Sequence, residues 1–237
     1  VAGGLPSNES LFIEPESVLD YELGLKSAFW SGLVQLNANL FWTEVDDYQA
    51  TRMGIINGVS TQILGNIGGV RTRGVEVELT AAPIDGLTFA LATSFNDATY
   101  TDYQNAPCPA ERTAAPSCDL TGERLYLSPR WIANPSVSYE FDLADLTFFT
   151  NVNYAWRSKY LGSSDSSILS ELDAYGVLNA RLGIRGPWDD KQWSVSVWFN
   201  NAADDTYFLA LARGANGEYS GQRGLPRTYG ATVRVDF

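Results

Sequence analysis

Glu76 and Glu78 stand two positions apart, a spacing that turns both carboxylates to one side of a β-strand. Such a pair can exchange protons with a substrate or meet cationic partners. Cys108 and Cys118 close a Pro- and Ala-rich segment, NAPCPAERTAAPSCDL, and suit a local disulfide made in an oxidising compartment. Metal or redox use of the two thiolates is the competing reading, with no further Cys and no His to complete a ligand set. Arg52, Arg112, Arg124, Arg213 and Arg223 share long connecting segments with Tyr48, Tyr103, Tyr160 and Tyr219. Guanidinium forks beside aromatic faces suit an anionic ligand, although the same side chains also keep loops soluble. The pairs Asp189, Asp190 and Asp204, Asp205 invite a calcium reading, but they flank opposite ends of one strand-like stretch and cannot share an ion. The complete absence of histidine removes Ser-His-Asp and Cys-His catalysis and imidazole metal sites. The expectation is a non-enzyme with no catalytic residue, no cofactor and no metal.

The elements that position these groups are read from alternation. Nine stretches place apolar and polar residues on opposite faces, at about 17–28, 33–45, 69–82, 87–100, 129–141, 145–158, 174–185, 193–203 and in the closing GLPRTYGATVRVDF. In the last, Tyr229, Ala231, Val233, Val235 and Phe237 share one face, opposite Thr228, Gly230, Thr232, Arg234 and Asp236. Short turns follow the odd-numbered stretches and long loops follow the even ones. Short turns on one side and long loops on the other is the pattern of outer-membrane barrels. The polar faces carry Asp20, Glu22, Lys26, Glu76, Glu78, Glu140, Arg157, Arg181, Arg185, Arg234 and Asp236, so the aliphatic stripe is expected against lipid and the charged face toward a wet or plugged lumen. Arg71 and Arg73 break the aliphatic stripe near its external end, where they are expected to snorkel or meet lipid headgroups. Trp42, Trp131 and Trp156 suit an aromatic girdle, and Trp198 faces inward.

Composition agrees. No run approaches the roughly 18 apolar residues of a spanning helix, and mean hydropathy is slightly negative, as alternating strands allow. A formal charge of −12 argues against nucleic acid as a partner. The chain opens on Val1 without a charged-then-apolar leader, so a processed protein or a fragment is expected. Nine is odd where bacterial single-chain barrels are even, which points to the carboxy-terminal part of a larger barrel, with 1–16 the end of an external loop and 17–237 barrel.

Four motifs carry a resemblance. EPESVLDYELGLKS, NIGGVRTRGVEVELTAAP, NNAADDTYF and GLPRTYGATVRVDF stand in this order along the chain. Together they resemble the carboxy-terminal barrel of TonB-dependent outer-membrane receptors. The resemblance implies an all-β fold, a transmembrane antiparallel barrel of about 22 strands of which these are the last nine. It implies a plug domain upstream, TonB as energy source, the barrel-assembly machinery and outer-membrane lipid as partners, and import of a scarce small molecule such as a ferric siderophore. Within it, Tyr48, Arg52, Tyr103, Arg124, Tyr160, Arg213, Tyr219 and Arg223 are expected to contact ligand. Glu76, Glu78, Arg157, Arg181 and Arg234 are expected to face lumen and plug. Tyr229, Val233, Val235 and Phe237 are expected to form the assembly signal. Two alternatives stay open from the residues alone: a passive porin-like barrel, and a secreted β-sandwich that binds carbohydrate.

Overall fold

The computed structural model describes residues 13–56, 59–112, 115–214 and 216–236. Among them, fifteen strands run in chain order: β1 (Ser17–Phe29), β2 (Val34–Asp46), β3 (Gln49–Ile56), β4 (Val59–Asn66), β5 (Gly69–Ile84), β6 (Leu87–Asp102), β7 (Trp131–Leu143), β8 (Leu146–Arg157), β9 (Tyr160–Leu161), β10 (Glu171–Leu172), β11 (Tyr175–Trp188), β12 (Lys191–Asn200), β13 (Phe208–Arg213), β14 (Tyr219–Arg223) and β15 (Thr228–Asp236). Nine of them form one antiparallel sheet in the order β1-β2-β5-β6-β7-β8-β11-β12-β15. These are the nine stretches expected from alternation. The other six pair within the long connections, as β3 with β4, β9 with β10 and β13 with β14. The sequence had suggested plain loops there. These strands are short, and glycines such as Gly54, Gly65 and Gly221 interrupt their alternation, so period-2 patterning is hard to see.

Register, shifted only near the two ends of the β5–β6 pairing, fixes the two faces. Leu23, Leu40, Val75 and Phe95 are cross-strand partners in one row, and Leu36, Leu79 and Leu91 in another. The same face continues through Phe148, Ile184, Val195 and Val233. The opposite face sets Asn39, Glu76 and Ser94 side by side, then Asn151, Arg181 and Trp198. Among the described residues no second sheet covers the apolar face: Leu23 is 70% exposed and Val233 71%. A soluble sandwich buries that face about 10 Å beneath a partner sheet, so the β-sandwich alternative fails here.

Short turns join β1 to β2, β5 to β6, β7 to β8 and β11 to β12. Trp30–Gly32 form a 3-10 turn in which Trp30, Ser31 and Gly32 have φ of 50, 56 and 90°. Gly86 turns β5 into β6 at φ 76°, and a Cβ there would strike the Glu140 carbonyl. GPWDDKQ narrows to Asp189 and Asp190, because β11 extends through Trp188 and β12 begins at Lys191. Asp189 and Asp190, set aside as calcium ligands above and read as a solvated turn, are a two-residue hairpin turn. Phe237 and residues 1–12 lie outside the described residues.

Candidate functional site

The four long connections, which follow β2, β6, β8 and β12, emerge from the same end of the sheet and bond to one another. They make a cap. Its apolar centre is Ile67, Val70, Tyr100, Tyr103, Ala106 and Leu120, with Val45, Tyr48 and Cys118 packed against it. Cys108 and Cys118 form the disulfide, and Ala106 and Cys118 exchange backbone hydrogen bonds at 2.9 Å beside it. The β3–β4 hairpin meets this loop where the Met53 amide donates to the Asn105 carbonyl at 2.7 Å and the Tyr103 hydroxyl donates to the Thr51 carbonyl.

Two carboxylates tie the loops together. Glu111, on the disulfide loop, accepts from the Ser167 hydroxyl at 2.6 Å and from the Ile168 amide at 3.1 Å. Burial works against its ionisation, but these bonds, its own backbone and the Arg112 charge hold the carboxyl below its ordinary value of 4.5. Asp165, 5% exposed in the serine-rich connection, accepts from the Tyr219 hydroxyl at 2.8 Å and from Arg213 at 3.4 Å. Arg213 also donates to the Cys108 carbonyl at 2.9 Å. One buried carboxylate and one guanidinium therefore join the disulfide loop, the serine-rich connection and the β13–β14 hairpin. Burial and the bond to Asp165 raise the Tyr219 phenol. Between these elements lies a cavity of about 790 Å³, lined by Met53, Gln62, Tyr126, Ser163, Asp165 and Arg213 among others. Its walls are more polar than apolar, so it suits a hydrated or charged guest.

The expected ligand contacts separate into groups. Arg213 lines the cavity, and Tyr219 reaches it through Asp165. Tyr103 and Tyr160 are each 1% exposed and need correction as ligand contacts: their rings build the cap. The Tyr160 hydroxyl donates to the Leu209 carbonyl at 3.0 Å, and burial pushes the Tyr103 phenol up to about 12. Tyr48 packs on the apolar centre, and its phenol is likewise raised by burial. Arg52 lies along Gly65, Arg124 donates to the Ser128 carbonyl at 3.2 Å and Arg223 to the Thr206 hydroxyl at 2.8 Å. The structure does not bring these three to the cavity. Asp165, Glu111, Ser167 and Tyr126 were not singled out from sequence.

A second node closes the last connection. Asn201, 2% exposed, receives the Asp205 amide at 3.0 Å and donates to the Asp205 and Leu225 carbonyls at 2.8 and 3.1 Å. Its own amide donates to Asn179 at 3.0 Å. Asp204 accepts from the Arg227 amide at 3.0 Å. NNAADDTYF and GLPRT are thereby the two halves of one clasp at the base of the β13–β14 hairpin.

On the polar face, Glu76, Glu78, Arg157, Arg181 and Arg234 all stand on the same side of the sheet. Glu76 and Glu78 border a cavity of about 430 Å³ with Glu22, Lys26, Asn37 and Asn39. Arg185 grips Glu140 with both terminal nitrogens, at 2.6 and 3.3 Å, and Arg181 donates twice to Ser196. The Trp198 ring lies over Gly230, where a Cβ would collide with it. Tyr229, Val233 and Val235 share the apolar face of β15, opposite Phe199, Val195 and Trp193 of β12.

A family model described as TonB dependent receptor-like, beta-barrel, matches residues 2–202. Among solved structures, the ferric yersiniabactin uptake receptor FyuA of Yersinia pestis is similar at 20% identity and TM-score 0.72, over 94% of this chain and 30% of that one. The siderophore receptor PiuA of Acinetobacter baumannii is similar at 18% identity and TM-score 0.70, over 98% and 30%. The ferripyoverdine receptor of the outer membrane of Pseudomonas aeruginosa, bound to ferripyoverdine, is similar at 20% and 0.63, over 95% and 28%. At such identities the likeness speaks for the fold, and the chain spans less than a third of each of these receptors. With the family match over most of its length, the nine-stranded sheet is part of a transmembrane antiparallel barrel, and the chain belongs to the TonB dependent receptor-like β-barrel family.

Proposed function

We propose that this chain supplies part of the barrel wall and most of one external cap of an outer-membrane receptor that imports a scarce small ligand with energy from TonB. The observation that carries the proposal is the cavity of about 790 Å³ closed by four connections at one end of a sheet with one apolar and one polar face. An anionic guest such as a ferric chelate enters this cavity against Arg213, with Tyr126 and Ser163 as further contacts. Arg213 and Tyr219 remain from the expected ligand set. Tyr48, Arg52, Tyr103, Arg124, Tyr160 and Arg223 support the cap instead.

In this proposal, 17–237 form the carboxy-terminal part of the barrel, residues before Ser17 end an external loop, and a plug and further strands belong to the remainder of the receptor. β1 and β15 each have one neighbour among the described residues, which leaves both edges for those further strands. Glu76, Glu78, Arg157, Arg181 and Arg234 face lumen and plug. Tyr229, Val233 and Val235, with Phe237, serve as the signal to the assembly machinery. The receptor moves its ligand without chemical conversion.

The test is uptake in the source bacterium. Deleting the gene that encodes this chain should abolish accumulation of one labelled compound in a panel of ferric hydroxamate, ferric catecholate, ferric citrate, cobalamin and an oligosaccharide. Arg213→Gln in the intact receptor should weaken uptake of that compound if it is anionic. Unchanged uptake of the whole panel, or uptake that persists without TonB, would refute the proposal.

A further inference from the structure

Alternation turns Trp198 to the polar face of the sheet, and the cap makes no use of it. Ser138, Asn151, Arg181, Trp198 and Gly230 stand side by side across β7, β8, β11, β12 and β15. One row nearer the long connections, Ser136, Asn153 and Asn179 are cross-strand partners, and Asn200 is the partner of Thr228. The Trp198 ring lies flat on the sheet because Gly230 beneath it has no side chain; a Cβ there would meet the ring at 2.5 Å. Arg181 lies over the Phe149 ring at 5.8 Å and donates from Nε and Nη2 to the Ser196 hydroxyl at 3.1 and 3.0 Å, so its guanidinium is held in place. Asn151, Asn153, Asn179, Arg181, Trp198 and Asn200 line a cavity of about 230 Å³. It lies just below the last long connection, which leaves the sheet after Asn200.

The groups around this cavity keep hydrogen-bonding capacity of both signs. Asn151 uses its N–H on Ser138 at 2.8 Å, Asn179 its carbonyl on the Asn201 amide at 3.0 Å, and Asn200 its N–H on Thr228 at 3.4 Å. Among the described residues, Asn153 and the Trp198 indole N–H have no partner. Carbonyl oxygens on Asn151 and Asn200 are thus left over, with N–H groups on Asn179, Arg181 and Trp198, and both kinds on Asn153. A carboxylate or phosphate only accepts, and would leave the carbonyls unmet. An ammonium only donates, and would face Arg181. A hydroxyl does both. A pyranose carries hydroxyls around its rim and a face of C–H bonds, and such a face suits the electron-rich face of an indole. No carboxylate lines the cavity, and its size suits a single ring.

We propose that Trp198 and the asparagines around it bind a neutral sugar ring carried by the imported ligand. The C–H face of the ring lies on Trp198, and its hydroxyls meet Asn153, Asn179 and Arg181. Arg213 in the cap then takes an anionic portion of the ligand and the Trp198 site a hydroxyl-rich portion. The site rests on the polar face lining the lumen of an import receptor, as Proposed function has it.

The experiment uses the intact receptor in lauryldimethylamine oxide, a detergent without sugar. Saturation-transfer NMR titrations measure binding of methyl glucoside, methyl galactoside, methyl mannoside and methyl N-acetylglucosaminide, beside sorbitol and citrate. At least one glycoside should bind about tenfold more tightly than sorbitol, which has the hydroxyls without the ring face. Its transfer should be strongest at the C–H protons of one face, and excess citrate should not displace it. Trp198→Leu should remove the preference over sorbitol. Asn153 makes no internal bond, so Asn153→Leu leaves the sheet intact and should weaken the glycoside about fivefold. No glycoside tighter than sorbitol would overturn the site, whether the chemistry is wrong or the receptor's own plug fills the cavity. Displacement by citrate would move the sugar to the Arg213 cavity and overturn it too, as would unchanged binding in Asn153→Leu. The comparison of glycosides with sorbitol and citrate on the natural protein decides the matter even if Trp198→Leu does not assemble. Uptake that persists without TonB would refute import and leave these titrations standing, so the two failures are distinguishable.

Discussion

Asp165→Asn is the sharpest perturbation of the cap. It keeps the side chain's shape and removes its charge. The Asp165 side chain is 7% exposed and that of its partner Arg213 26%, so solvent screens the pair only partly. The substitution replaces the carboxylate that accepts from Tyr219 and Arg213 by a weaker, uncharged acceptor, and it removes the ion pair while Arg213 keeps its bond to the Cys108 carbonyl. Hydrogen bonds to charged groups contribute about 1.5–3 kcal/mol and neutral ones about 1, so the expected loss is about 2 kcal/mol. The reporter is the Leu211 amide, which donates to the Gly162 carbonyl at 2.8 Å and joins the two connections that Asp165 holds. A loss of about 2 kcal/mol makes its hydrogen exchange roughly 30-fold faster if local opening governs it. Amides in mid-sheet, such as Leu91, should not change. Tyr219→Phe removes one bond to the charged carboxylate, about 1.5–3 kcal/mol, and should accelerate Leu211 by at least about tenfold. Exchange at Leu211 within twofold of the natural protein, or equal acceleration at Leu91, would refute the assignment of Asp165 as the local tie.

Other expectations can be checked on the same protein. Reducing Cys108–Cys118, worth about 2–3 kcal/mol for a closure of this length, should expose the disulfide loop to protease while the far-ultraviolet β signal persists. Asn201→Ala deletes three side-chain hydrogen bonds at a buried site, so it should destabilise the β13–β14 connection by about 2–4 kcal/mol, read as early proteolysis between Asp204 and Arg227. Because the Glu111 carboxyl lies below its ordinary value when folded, its contribution is full above pH 4.5 and is lost as pH falls through the lower folded value. Protection of the Ile168 amide should therefore hold at pH 5 and fail only on further acidification, and Glu111→Gln should abolish that acid step.

The nine-stranded sheet was readable because its strands follow one rule, apolar on one face and polar on the other, over nine or more residues. Leu19 to Leu25 or Trp193 to Phe199 repeat the signal often enough that no single residue matters. The cap obeys no such rule. Tyr103 and Tyr160 looked like ligand groups because loops normally expose tyrosine, and nothing local reveals that their hydroxyls meet the carbonyls of Thr51 and Leu209, about fifty positions away. Asp165 and Arg213 are 48 positions apart, and Arg213 and Cys108 are 105 apart. Pairings at that range depend on which loops the sheet sets side by side. The disulfide was the exception, since a separation of ten residues is a local fact.

Asp165 and Arg213 belong both to the tie that closes the cap and to the wall of its cavity, and this overlap has a thermodynamic consequence. An anion that enters the cavity meets Arg213 already paired and Asp165 repelling it. It binds only by taking the guanidinium, and in doing so it loosens the tie between the serine-rich connection and the β13–β14 hairpin. Binding and cap opening then share a coupling free energy, and each must favour the other by the same factor. Asp165→Asn removes the competitor without removing Arg213. It should therefore tighten binding of an anionic probe such as ferric citrate to the intact receptor, by about the factor with which it speeds exchange at Leu211. A residue that merely scaffolds the site would weaken binding when replaced. Loss of affinity in Asp165→Asn alongside faster exchange would separate the two roles and break the coupling.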